Sequence, residues 1–491
     1  MPPGPRPVPP GPRARDVVRR RRTATSYGDV VRKGVPPMSV AASVVQPLPS
    51  HALMVLLLQL GVLLLCALLL GRLAERLGMP AVVGELTAGV LLGPSLLLHL
   101  APGVGNWLFP QSTEQMHLLD AVGQFGVILL VGFSGIHLDL KLVRRQGARA
   151  AGVGAAGLLV PLVLGAGLGL LMPAALRAPG ADHTVFALFI GVVMCVSAIP
   201  VIARTLIDMK LIHRDVGQMI LVAVTIDDAV GWVLLSLVAA MATTGLYTGE
   251  VLTTLGEVGL LLLATATAGR WLVGASMRAA GRAGVPGLPV VTAVVLMTLS
   301  AAGTHALGLE AALGAFFCGI LIGGTREFDT ASLAPLNTTV MAVLAPLFFA
   351  TAGLRMDLTS LADPEIALWG LAVFAVAVAG KFLGAFLGGL TTRMNRWESL
   401  ALGAGINARG VIEVIIALIG VRLGLLTVEM YSIVVLVAVL TSLMAPPVLR
   451  FAMNRVEQTA EEELRGHRFL SRTGAAPAPA PTPAPTTTAD P

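Results

Sequence analysis

A chain of 491 residues that is 55% hydrophobic and only 13% charged, with a mean hydropathy of +0.82, is too apolar for a water-soluble globular fold and reads as a polytopic membrane protein. Its 55 glycines against 5% aromatics suit closely packed helices and exclude a porin-like barrel, whose strands would alternate and carry aromatic girdles. The formal charge of +6 comes from residues 1–37, where nine Lys/Arg stand against two Asp, so the remainder is close to neutral and offers no basic face for nucleic acid.

Residues 1–50 are rich in Pro and Arg, include Arg19-Arg20-Arg21-Arg22 and lack apolar periodicity, which predicts a disordered basic arm, with Met38 an alternative start. A membrane body over 51–455 follows. Its thirteen apolar segments are 53–70, 81–98, 118–138, 148–172, 185–206, 219–242, 251–273, 290–307, 309–323, 340–354, 366–390, 400–423 and 428–453. Cys66, Cys195 and Cys318 fall singly within them, as packing residues do, and form no disulfide framework or metal cluster by spacing. Alternate loops gather Arg72, Arg76, Lys141, Arg144, Arg145, Arg149, Lys210, Arg214, Arg278, Arg282, Arg326, Arg393, Arg396 and Arg450, whereas the opposite side holds Arg177, Arg355 and Arg422. Positive charge marks the cytoplasmic side, so the C-terminus is expected in the cytoplasm and the N-terminus outside, in a multi-pass protein of the plasma membrane. Residues 456–491, with Glu461-Glu462-Glu463 and an Ala/Pro/Thr run, predict a short solvated helix and a disordered cytoplasmic tail.

The body repeats itself. Leu77-Gly78-Met79-Pro80-Ala81-Val82-Val83-Gly84 recurs as Leu307-Gly308-Leu309-Glu310-Ala311-Ala312-Leu313-Gly314, and Gly89 and Gly93 match Gly319 and Gly323 at the same offset of 230. One segment later, Gly135-Ile136-His137-Leu138-Asp139-Leu140 is echoed by Gly353-Leu354-Arg355-Met356-Asp357-Leu358. The repeats span roughly 77–242 and 307–453 and begin seven crossings apart, so equivalent helices run in opposite directions. An inverted repeat is the plan of many secondary transporters, since two like halves can exchange inward-facing and outward-facing forms. The expected fold is all-α, with about 13 transmembrane helices.

Thr225-Ile226-Asp227-Asp228-Ala229-Val230-Gly231-Trp232 places two aspartates within an otherwise uncharged run over 219–242, at membrane depth. Ionisable groups there are costly and mark ion or proton paths. The fourth helix of each repeat is interrupted, at Val196-Ser197-Ala198-Ile199-Pro200 and at Gly405-Ile406-Asn407-Ala408-Arg409-Gly410, and paired breaks point to a transporter's binding site. Arg409 and Glu413, four apart, read as a structural ion pair. Lys381 is the one lysine inside an apolar segment and needs a buried partner or must lose its proton. Consecutive helix positions diverge by about 100°. One aspartate can therefore pair with Lys381 while the other faces a water-filled path, and spacing leaves open which. Oxygen ligands suit an alkali cation, with the Ser197 and Thr225 hydroxyls and unwound carbonyls completing a shell around the carboxylates. A proton and a cation competing for that site give antiport.

Arg76-Leu77-Gly78-Met79-Pro80-Ala81-Val82-Val83-Gly84-Glu85, Leu92-Gly93-Pro94, Ile226-Asp227-Asp228, Gly380-Lys381 and Asn407-Ala408-Arg409-Gly410 together resemble the monovalent cation:proton antiporter-2 family over roughly 53–453. The resemblance implies a Na+/H+ or K+/H+ exchanger with the sodium/proton antiporter-like fold, a homodimer with a dimerisation panel, and a moving body built on two crossed broken helices. It implies Asp228 as the ion-binding carboxylate and Asp227 as the partner of Lys381, with no cofactor beyond the transported ions. Ala408 stands where the family often has Pro. An intramembrane aspartyl protease is disfavoured, because its two carboxylates face each other from separate helices. A gated potassium efflux channel would need neither Lys381 nor the repeat, and a primary pump would need a phosphate loop that the sequence lacks.

Overall fold

The computed structural model describes residues 4, 48–110, 113–138, 140–244, 256, 259–325, 328–392, 394–459 and 462. The expected arm and tail fall largely outside these residues, as do Asp139, Arg326, Arg393 and the start of segment 251–273, and the side chains of 140–151 and of Pro200 are likewise not described. Contacts divide the chain into two units, Met1–Ser50 and His51–Pro491, and the second holds the features below.

Apolar sequence folds here into α1 (Ser50–Arg76), α2 (Ala81–Leu92), α3 (Thr113–Ile136), α4 (Leu140–Leu171), α5 (His183–Cys195), α6 (Ile199–Asp208), α7 (Asp215–Thr244) and α8 (Arg270–Arg282). The second half adds α9 (Leu288–Ala306), α10 (Ala311–Gly323), α11 (Ala345–Gly353), α12 (Pro364–Thr392), α13 (Arg396–Ile406), α14 (Val411–Arg422) and α15 (Val428–Met453). Local caps set several of the starts. The Asp182 carboxylate accepts the Thr184 and Val185 N–H groups at 2.8 and 3.0 Å, and Asn395 and Glu398 form a reciprocal capping box on α13.

Among the described residues ten helices are long and apolar enough to cross a bilayer, eleven when the bent pair α13–α14 counts as one span. Each of the thirteen sequence segments lands on helix, but two fall short of a full span. Segment 185–206 is divided between α5 and α6 by its central break, and 309–323 is shortened by a turn that leaves only α10.

The repeat is visible in backbone geometry. Gly78 and Gly308 both adopt φ +77°, a left-handed turn that only glycine makes without strain, and each sends the chain back into an equivalent helix. Past those turns, a Cβ on Gly84 would collide with the Leu70 carbonyl of α1, and one on Gly314 with the Ser300 carbonyl of α9. The repeats also exchange partners. Gly89 of α2 lies against Ala350 and Gly353 of α11, while Gly319 of α10 lies against Gly132 and Gly135 of α3. Small residues permit such contact where lipid supplies no hydrophobic driving force between helices.

Two groups of helices result. In one, α2 packs on α11 and α3 on α10; in the other, α4 packs on α12, with α5, α7, α13 and α15 around them. Gly380, Gly384 and Gly388 bring α12 against Pro161, Ala156 and Val153 of α4, which sets Lys381 deep inside the second group. Contacts between the groups are sparse, chiefly α11 on α14 and α7 on α10.

Candidate functional site

The two breaks meet. After Cys195 the chain runs extended through Val196 and Ala198 before α6 begins, with Pro200 in its first turn, where a missing N–H costs nothing. After Ile406 the chain crosses Asn407 to Gly410 and bends by 49° into α14. The Ala198 N–H donates to the Ala408 carbonyl at 3.0 Å, and the Ser197 hydroxyl reaches the Ile406 carbonyl at 2.7 Å. Each break thus uses backbone groups that the other leaves unpaired.

A helix ending inside a membrane exposes carbonyls and the negative end of its dipole. Two cations from the second repeat cap the end of α5. Arg409 donates to the Val193 and Met194 carbonyls at 3.0 and 2.6 Å, and Lys381 Nζ donates to the Cys195 carbonyl at 2.5 Å. Lys381 also reaches Asp227 Oδ2 at 2.7 Å and the Ser197 hydroxyl at 2.8 Å, and the Ser197 oxygen lies 2.9 Å from Asp227 Oδ2. Arg409 pairs with Glu413 Oε1 at 2.7 Å. The Ser442 hydroxyl donates to the Arg409 carbonyl and steadies the second break.

Charge does not balance in this cluster. Asp227, Asp228, Glu413, Lys381 and Arg409 are all 0–1% exposed, three carboxylates against two cations. Asp227 and Glu413 each take a cation, and neither oxygen of Asp228 has a hydrogen-bond partner among the described residues. A buried carboxylate ion without a partner costs several kcal/mol, a penalty that a proton or cation on it would remove.

The structure thus brings together Ser197, Asp227, Lys381, Asn407, Arg409 and Glu413. Thr225 lies three residues before Asp228 on α7, and no hydrogen bond joins it to the cluster among the described residues. Sequence reasoning missed the Val193, Met194 and Cys195 carbonyls, because main-chain acceptors carry no sequence mark. No group of three or more His, Cys, Asp or Glu arranged to hold a resident metal occurs among the described residues.

Known proteins share this plan. The family described as "Sodium/hydrogen exchanger, transmembrane" matches residues 61–455. Cation/H(+) antiporter 17 of Arabidopsis thaliana is 32% identical over 410 residues, which cover 81% of this chain and 48% of that protein. Na(+)/H(+) antiporter NhaS4 of Synechocystis is 30% identical, covering 82% of this chain and 97% of that protein. Na(+)/H(+)-K(+) antiporter GerN of Bacillus cereus is 28% identical over 406 residues, 80% of this chain and 95% of its own. The chain therefore spans about half the length of the plant relatives and nearly all of the bacterial ones. The solved sodium proton antiporter MjNhaP1 of Methanocaldococcus jannaschii aligns with a TM-score of 0.59 at 16% identity over 82% of this chain and 99% of that one, a likeness of fold.

Proposed function

The chain belongs to the sodium/hydrogen exchanger family of membrane transporters, and from that premise we propose that it exchanges a monovalent cation, Na+ or K+, for protons by alternating access, with Asp228 as the shared site and Asp227 held by Lys381. The observation that carries this reading is the one excess carboxylate in an otherwise paired, buried cluster. Asp228 charged and alone resists passage across the apolar boundary between the two helix groups, whereas a proton or a cation on it removes the penalty. Passage is thereby coupled to loading, and two ions that compete for one carboxylate move in opposite directions. Ser197, Thr225 and the carbonyls freed at the breaks supply further oxygens for a desolvated alkali cation. Asp227 with Lys381 keeps the end of α5 neutralised and gives a second place where a proton can enter when the pair opens. The moving body is the group around α4 and α12, and the other group is the panel on which two copies join as a homodimer. The transport domain covers 51–455, flanked by arm and tail, in the plasma membrane with its C-terminus cytoplasmic.

The test is exchange in proteoliposomes under an imposed pH gradient, with Na+, K+, Li+ and Rb+ compared. Asp228→Asn is expected to abolish cation-dependent dissipation of the gradient, and dissipation that survives would sink the role of that residue. Cation flux without proton movement favours a channel. Lys381→Ala is expected to change pH dependence or electrogenicity more than folding, and no change in either removes the ion pair from the cycle.

A further inference from the structure

Asp228 is not the only unsatisfied group on its helix face. Trp232 follows it by four residues on α7, so the two side chains share one side of the helix, a turn apart. Helical side chains in general lean toward the N-terminus, the direction in which Asp228 lies from Trp232. Both residues are buried, and among the described residues Trp232 Nε1 has no hydrogen-bond partner, just as the two Asp228 oxygens have none. A buried indole N–H ordinarily finds an acceptor, and it can only donate. A carboxylate can only accept. The two unsatisfied groups are therefore complementary. The two cations of the cluster are already engaged, since Lys381 holds Asp227 and Arg409 is bound to Glu413 and the end of α5; the Asn407 amide, like the indole, has no partner among the described residues. The indole also packs against Phe316 of α10, with ring centroids 6.3 Å apart and planes at 39°, which puts it at the boundary between the two helix groups.

Resting on the reading of Asp228 as the shared ion site, we propose that Trp232 Nε1–H is an exchangeable hydrogen-bond donor to the Asp228 carboxylate, engaged when that carboxylate carries neither cation nor proton and released when either binds. An ionised carboxylate in an apolar interior gains most from a donor, and a cation on the same oxygens repels the positive end of the N–H dipole. The indole thus lowers the cost of the intermediate between releasing one ion and taking the other, and it competes with the incoming ion. Trp232 is a positioning residue, acting through Asp228 rather than on the cation.

Initial exchange rates of the reconstituted full chain, measured against concentration of the cation it transports fastest, test this. Trp232→Phe keeps an aromatic ring against Phe316 and deletes the donor. Its apparent KM for the cation is expected to fall severalfold, tenfold corresponding to about 1.4 kcal/mol, together with a lower maximal rate, because ion release slows. Trp232→His, which restores a ring N–H, should move KM back toward wild type. Ser236→Ala, at a buried hydroxyl one turn further from the carboxylate, should leave KM unchanged. A Trp232→Phe variant with KM unchanged or raised overturns the proposal. A second readout does not need that variant: with Trp107, Trp271, Trp369 and Trp397 replaced by Phe, Trp232 emission should shift to shorter wavelength when cation is added at fixed pH. Emission indifferent to cation overturns it equally. Exchange that survives Asp228→Asn defeats the reading of Asp228 and this inference with it; an inactive Asp228→Asn beside a wild-type KM in Trp232→Phe defeats this inference alone.

Discussion

In α4 and α12, the equivalent helices of the two repeats, glycine-lined backbones meet face to face, yet α4 carries no charged residue over 152–171 while α12 buries Lys381. The last helices differ in the opposite sense. α7 buries Asp227 and Asp228, and α15 has no charged residue over 430–449. At the breaks, Val196 to Ala198 are uncharged, and Arg409 with Glu413 supplies the charge on the other side. The backbone is thus nearly symmetric and the charge is not. Two related halves are what the proposed alternating access asks for. The proposed exchange at Asp228 asks for the contrary, one carboxylate in excess at one place, and that comes only from breaking the symmetry of side chains.

Three measurements would break or sharpen this contrast. The largest effect is expected for Arg409→Ala, which strands Glu413 and two carbonyls at the end of α5. Loss of one partner of a buried pair costs about 3–5 kcal/mol, read as a lowered unfolding midpoint in detergent. A stable Arg409→Ala would show that the charges of the second repeat are dispensable to the scaffold. A smaller effect, about 1–3 kcal/mol for an overpacked contact, is expected for Gly89→Ala and Gly319→Ala. The two should be alike, since each puts a Cβ against an equivalent carbonyl, of Ala350 and of Gly132. Clearly unequal losses would mean that the backbone symmetry is not shared energetically.

The smallest effect concerns a contact between the first repeat and the segment that follows the second. Arg214, just before α7, holds Glu462 at 3.0 Å and donates to the Val456 and Glu457 carbonyls, and the Asp215 N–H donates to Glu462 at 2.7 Å. Burial disfavours charge on Glu462, but the Asp215 and Thr459 N–H groups and Arg214 outweigh it and hold the carboxyl below its ordinary value of 4.5. A depressed carboxyl stabilises the fold above the unfolded value and loses that contribution as pH falls through the folded one. Glu462→Gln should therefore cost less than about 1 kcal/mol at neutral pH, and the difference from wild type should vanish in acid. A difference that persists there would assign the contact to packing.

Much of the candidate site is legible in the sequence, because charge in an apolar run has few other uses. Asp227, Asp228, Lys381, Arg409 and Glu413 stood out for that reason, and the two breaks stood out through Pro200 and Asn407. The offset of 230 exposed the repeat because the same glycines recur where the same helices touch. The number of full spans was less legible. A broken helix and an unbroken one have nearly the same composition, so 185–206 and 309–323 counted as crossings although neither forms one long helix.

By itself the sequence determined the membrane class, the repeat and the inventory of buried charge, since these depend on which residues lie in apolar runs and at what spacing. Only the tertiary structure decided that Lys381 meets Asp227 and that Asp228 and the Trp232 indole N–H are left without a hydrogen-bond partner among the described residues. Adjacent helix positions differ by about 100°, so the sequence says that the aspartates point apart. Which of them turns inward depends on the rotation of α7 about its axis, and contacts such as Gly231 against Val196 set that rotation.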